Sequence, residues 1–161
     1  MNSKLQSVSK GTVGTPTFQD IINELIGIAQ RMGHIKVANK TGGDLTKGTL
    51  VAFDGYDTTL AAVTVVAADA NNDLPADAVL SEDIDDDEAG IAYAAGVVNG
   101  LDTSGASAVG AKAYLSTTAG EFTWSAPATT GDIIQVVGRC TIKDASAGAI
   151  VFNMGAVLIS P

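Results

Sequence analysis

The residues best suited to chemistry lie in one acidic run, SEDIDDDEAG, from Ser81 to Gly90. Asp83, Asp85 and Asp87 alternate as the first ligands of a calcium loop do. An EF-hand loop needs glycine at its sixth position and an acid at its twelfth. Glu88 and Ala94 stand there instead. Asp69, Asn71 and Asp73 repeat the first half of the pattern and fail in the same way, at Leu74 and Leu80. The run 82–88 therefore reads first as a solvated acidic loop, with a calcium site outside the EF-hand pattern as the alternative. No metal or other cofactor is expected.

Other chemistries lack a residue set. Cys140 is the single cysteine and His34 the single histidine, far apart in sequence. Cys140 lies in the apolar run IIQVVGRCTI and reads as a buried, inert thiol. His34 reads as a surface or interface residue. Acids are plentiful, but none has the apolar surroundings that would raise its pKa for acid–base catalysis. The glycine-rich segments TGGDLTKG and GLDTSG lack the strand, GK[ST] and helix of a phosphate loop. Tyr56, Tyr93, Tyr114 and Trp124 could line a sugar-binding face if several converged; Tyr114, Phe122 and Trp124 also read as sheet anchors, the better reading for Trp124. No catalytic residue is expected, and the chain reads as a non-enzyme.

Composition agrees with a binding or structural role. Across 161 residues, 46% are hydrophobic and 17% charged, enough for a core and too few charges for disorder. The 9 basic and 18 acidic residues leave a net charge of −9. Nucleic-acid binding needs clustered basic residues to neutralise phosphates, and here they are scattered. No apolar run approaches the ~18 residues of a membrane-spanning helix. The first residues lack the apolar core of a secretion signal, so synthesis and use without export are expected.

The elements divide the chain in three. Residues 1–14 read as an extended or disordered arm. Residues 15–33 contain an amphipathic helix. Thr17 and Asp20 form a capping pattern after Pro16, Arg31 lies in the last turn, and Gly33 stops the helix. Phe18, Leu25 and Met32 recur every seven residues, with Ile21 and Ile28 at the complementary positions and Ile22 and Ala29 widening the stripe. Such a face suits three or more helices meeting, and equally suits packing on the chain's own β-domain. A membrane-surface role is disfavoured because the polar face is not basic. Residues 34–161 read as a β-domain of about nine short strands, a β-sandwich or small β-barrel. The strands are HIKVANK, TLVAF, LAAVTVVAAD, AVL, GIAYAAGVVNGL, KAYLS, EFTWS, IIQVVGRCTI and AIVFNMGAVLIS. DGY at 54–56 reads as a turn, and Gly96 as a bulge or close backbone approach. No internal repeat is evident.

The order of residues from Gly110 onward resembles small structural proteins of tailed bacteriophages. Its elements are Gly110, Tyr114-Leu115-Ser116, Thr118-Ala119-Gly120, Thr123, Ala126-Pro127, Gly131-Asp132, Gln135, Val137-Gly138 and Ile150 with Phe152. Thr41-Gly42-Gly43 through Gly48-Thr49-Leu50-Val51 is similar in style to capsid cement proteins. The likeness covers roughly residues 34–155, not the helix. It implies a virion component on the capsid exterior, a decoration (cement) protein or head fibre. It further implies a homotrimer bound to the major capsid protein and made in the host cytoplasm. Phe18, Ile21, Ile22, Leu25, Ile28 and Met32 are the expected oligomerisation or docking face. The alternative is a receptor- or carbohydrate-binding module of a tail fibre or baseplate.

Overall fold

The computed structural model describes residues 33–160. The arm and the helix expected before Gly33 lie outside the described residues. The described chain is mainly β. It has eleven strands, a single 3-10 turn at Ala70–Asn72, and no α-helix.

Five strands close into a barrel: β1 (His34–Asn39), β2 (Leu50–Asp57), β3 (Ala62–Ala67), β4 (Ala78–Leu80) and β5 (Ala89–Tyr93). The order around it is β1-β3-β2-β4-β5. Only the β1–β3 pair is parallel; the others are antiparallel. Six strands form an antiparallel sheet: β6 (Ala95–Leu101), β7 (Lys112–Leu115), β8 (Phe122–Thr123), β9 (Ile133–Ile142), β10 (Gly148–Asn153) and β11 (Val157–Ile159). Its order is β6-β10-β9-β7-β8. β10 pairs with the second half of β9, Gly138–Ile142, and β11 with Ile133–Gln135 at its start.

The side-chain alternation of a strand explains how barrel and sheet join. In β2, Val51 points into the barrel, while Leu50 and Ala52 belong to a second cluster shared with the sheet. In β4, Ala78 and Leu80 point inward and Val79 outward. Buried on both faces, these segments read as unbroken apolar runs, LVA and AVL. Val37, Val65, Ile84 and Ala92 complete the barrel interior. Leu115, Ile133, Val137, Ile150 and Phe152 supply the sheet's side of the larger core. Each fully buried side chain of this size contributes about 1.5–3 kcal/mol.

Three differences from the sequence expectation have local causes. The apolar run 90–101 is two strands, because the chain leaves the barrel at Ala94 and enters the sheet as β6. A Cβ at Gly96 would sit 2.8 Å from the Tyr93 ring, so glycine permits this tight passage. The run 149–160 also divides, at Met154–Ala156, which raises nine strands to eleven. Finally, DGY is not a turn. β2 continues to Asp57 with a register shift between Phe53 and Gly55 against β3, a bulge that leaves Asp54 outside the pairing.

One end of the barrel is closed by two reciprocal loops. Leu45 and Ile84 exchange backbone hydrogen bonds of 2.9 and 2.8 Å. Asp44, just before Leu45, accepts from the Asp86 amide at 3.0 Å. Asp83, just before Ile84, accepts from the Lys47 amide at 2.7 Å. Three residues after each apolar residue the chain turns left-handed, at Gly48 (φ 88°) and Asp87 (φ 64°). Their amides donate to Leu80 and Asn39 respectively. The loops are thus related by a local two-fold, although Asp-Leu-Thr-Lys-Gly and Asp-Ile-Asp-Asp-Asp share only their first residue. Buried Asn39 ties the clasp together, donating to the Gly43 and Ile84 carbonyls and accepting from the Thr41 amide and hydroxyl.

Candidate functional site

The clasp explains the acidic run. Asp83 holds the Lys47 amide, Asp86 the Gly42 amide, and Glu82 the Ile91 amide. Asp87 pairs with Lys40 at 2.9 Å. Asp87 and, at 3.5 Å, Asp57 flank this lysine, and the hydrogen bond it donates to Asp87 leads in raising its pKa above the ordinary value. Among the described residues no three His, Cys, Asp or Glu side chains converge where a metal ion could be held. The carboxylates serve as acceptors for backbone N–H groups, a role that alternating acids fill as readily as ligation.

The remaining sequence candidates are dispersed. Cys140 is buried in β9 and unbonded to another cysteine. His34 is exposed at the start of β1 and stacks on Tyr93, with centroids 4.5 Å apart. Tyr56 is exposed on the far end of β2, and Tyr114 is half-buried in β7. The four aromatic candidates do not converge. Phe18, Ile21, Ile22, Leu25, Ile28 and Met32 lie outside the described residues.

Trp124 lines a cavity. A cleft of ≈ 580 Å³ lies where three segments meet. The clasp contributes Thr46–Thr49, the loop after β6 contributes Asp102, Ser104 and Gly105, and the β7–β8 hairpin and its exit contribute Gly120–Phe122 and Trp124. The volume falls within the ~300–1,000 Å³ of small-ligand sites. Both glycine-rich segments, TGGDLTKG and GLDTSG, contribute to this lining.

Backbone bonds hold the three segments in place. The Leu50 amide donates to the Gly120 carbonyl at 2.8 Å, and the Gly120 amide to Ala68 at 2.7 Å, fixing the hairpin on the barrel. Gly120 takes φ 79°, and a Cβ there would lie 2.8 Å from the Thr49 methyl, so only glycine fits. Buried Thr103 anchors the neighbouring loop, donating to the Ile142 carbonyl at 2.7 Å and accepting from the Asp144 amide at 3.0 Å.

The lining combines an aromatic surface with polar groups. Trp124 meets Phe122 edge to face at 5.4 Å, and Phe122 in turn meets buried Phe152 at 6.3 Å. A Cβ at Gly105 would lie 3.0 Å from Cδ1 and 3.2 Å from Nε1 of the indole, so that edge of the ring abuts the glycine. Trp124 is half-buried, and among the described residues its N–H donates to no protein acceptor. Asp102 accepts from the Ser104 hydroxyl at 2.6 Å and amide at 2.9 Å. These bonds, the hydroxyl first, hold its carboxyl below the usual carboxylate range, against desolvation and the like charge of Asp144. Asp102 is therefore ionised at neutral pH. Lys47 and exposed Glu121 complete the rim.

Compared with known proteins, the chain matches no family model. No curated protein and no solved structure matches it.

Proposed function

We propose that the chain is a non-enzymatic structural protein of a tailed-bacteriophage virion. It binds the exterior of the shell through the major capsid protein, as a decoration (cement) protein or head fibre, and stabilises the lattice. The observation that carries this reading is unburied apolar surface on the last strand. Val157, Leu158 and Ile159 of β11 are 42%, 64% and 59% exposed, all three on a strand whose described pairing is with β9 alone. Sheet edges normally carry charge or are covered, because unpaired N–H and C=O groups recruit further strands. Three consecutive exposed aliphatic residues there suit a strand that is covered in assembly. The residue pattern from Gly110 to Phe152 supports the phage reading independently. In a homotrimer, three modest contacts engage the lattice together and multiply in effect.

Co-sedimentation of the full chain with capsid shells of the cognate phage tests the proposal. Saturable binding at a fixed ratio of chain to capsid subunit is expected. A chain that stays in the supernatant at all concentrations sinks it.

A further inference from the structure

The cleft beside Trp124 serves no part of that assembly reading. We infer that it is a saccharide-binding site, with Trp124 as the platform and Asp102, Ser104, Lys47 and Glu121 as the polar contacts.

The argument starts from what the cleft offers. A pyranose ring has one face of C–H groups and a rim of hydroxyls. Its C–H face needs a flat apolar surface, and its hydroxyls need acceptors and donors around that surface. Trp124 is half-buried, with its Cδ1–Nε1 edge against Gly105 and its ring in T-shaped contact with Phe122. It is a rigid plane, ordered before any ligand arrives, which reduces the entropic cost of binding. Its N–H is unengaged among the described residues. Asp102 is oriented by Ser104 through two hydrogen bonds to one oxygen, Oδ1. A carboxylate fixed in this way is a strong acceptor for ligand hydroxyls.

Other ligand classes fit less well. An anion would meet the carboxylates of Asp102 and Glu121 against one ammonium, that of Lys47. A quaternary ammonium needs several aromatic faces around it. Here Phe122 packs on Phe152 in the core, which leaves Trp124 as the single open platform. A neutral or amino sugar suits both the charge balance and the single platform. The same balance predicts discrimination against acidic sugars.

The test is fluorescence titration of the full chain. Trp124 is the chain's single tryptophan, so its emission reads the cleft directly. Probes are trisaccharides of hexose, N-acetylhexosamine, deoxyhexose and uronic acid, with choline as the cationic control. A saturable shift with at least one uncharged trisaccharide is expected, at a Kd of about 1 mM or tighter. The uronic trisaccharide should bind weakest. By calorimetry, Trp124→Phe should weaken binding at least about tenfold, and Asp102→Asn and Glu121→Gln should each weaken it. Asp102 and Glu121 are exposed, so their variants keep the test open if Trp124→Phe does not fold. No saturable shift with any trisaccharide up to about 20 mM overturns the inference. So does choline or the uronic probe binding tightest, or unchanged affinity in both carboxylate variants.

Discussion

At the scale of single residues, the two positions that turn the clasp should respond oppositely to substitution. Gly48 and Asp87 are left-handed at equivalent points of the two loops. A Cβ at Gly48 would also lie 2.7 Å from the Leu101 side chain. Gly48→Ala should therefore cost about 1–3 kcal/mol, from the left-handed penalty and the displaced leucine. Asp87→Gly relieves the same penalty and should stay within about 1 kcal/mol of the parent. Urea denaturation of both variants measures this, and equal losses would contradict a conformational origin. Asp144 governs a second residue-level property. Its Oδ1 accepts from the Ala147 and Ser146 amides at 2.8 Å each. These bonds, that from Ala147 leading, hold the carboxyl below its ordinary value of 3.8. A carboxyl depressed in the folded state adds stability above its unfolded pKa, and that increment is lost as pH falls through the folded value. Asp57, through the Leu60 amide, and Asp102, through Ser104, act in the same sense. Melting temperature should thus fall as pH drops below about 4, and the fall should be shallower in Asp144→Asn. A steeper fall in that variant would reverse the sign of the argument.

At the scale of elements, Gln135 shows how a strand can be pinned by a side chain acting as backbone. It is buried in β9, and its amide both accepts from the Ala76 N–H and donates to the Ala76 carbonyl, each at 2.8 Å. The segment entering β4 is thereby hydrogen-bonded to the sheet without a strand pair. Gln135→Leu keeps the volume but leaves two buried backbone groups without partners. It should cost about 2–6 kcal/mol in urea denaturation with an unchanged slope, from about 1–3 kcal/mol per orphaned group. A loss under 1 kcal/mol would mean that water replaces the amide. Gln135 belongs to the residue order singled out from Gly110 onward, as do buried Leu115, Val137, Ile150 and Phe152. That order was legible because it records the demands of the larger core. Strand positions were legible for the same reason, since alternation and turn residues are local signals. A small barrel was one of the two expected architectures; which strands close it was not legible, because β1 meets β3 and β5 through pairings that no local pattern encodes. The breaks at Ala94 and Met154 were hidden inside apolar runs whose composition does not change there. The clasp's two-fold was invisible because it is carried by backbone geometry, with one shared aspartate. Of the cleft, only Trp124 was a candidate. Asp102, Ser104 and Lys47 gave no signal beyond their glycine neighbours, since what makes them a site is convergence from separate loops.

At the scale of the whole molecule, assembly must overcome charge. Each chain carries a net charge of −9, so copies repel one another. Association then requires apolar surface. Two candidate segments are the stripe from Phe18 to Met32 in the sequence and β11, with its exposed Leu158 and Ile159. Their contributions separate cleanly. Leu158→Asp with Ile159→Asp alters exposed side chains and should shift folding stability by no more than about 0.5 kcal/mol each. If β11 joins copies, light scattering of this variant should read one chain, while Leu25→Asp with Ile28→Asp keeps the parent's mass. If the stripe joins them, the two results exchange. Should both variants keep an oligomer, neither surface holds it together; a monomeric parent that still coats shells would assign β11 to the capsid contact instead. Ionic strength gives an independent reading. Salt screens the repulsion between like-charged chains over a Debye length that shrinks from about 30 Å at 0.01 M to about 8 Å at 0.15 M. An apolar contact between acidic chains should therefore strengthen as salt is raised across that range, with the weight-average mass at fixed concentration increasing. Ion pairs between copies would respond in the opposite direction, so a falling mass would exclude an apolar origin for the assembly.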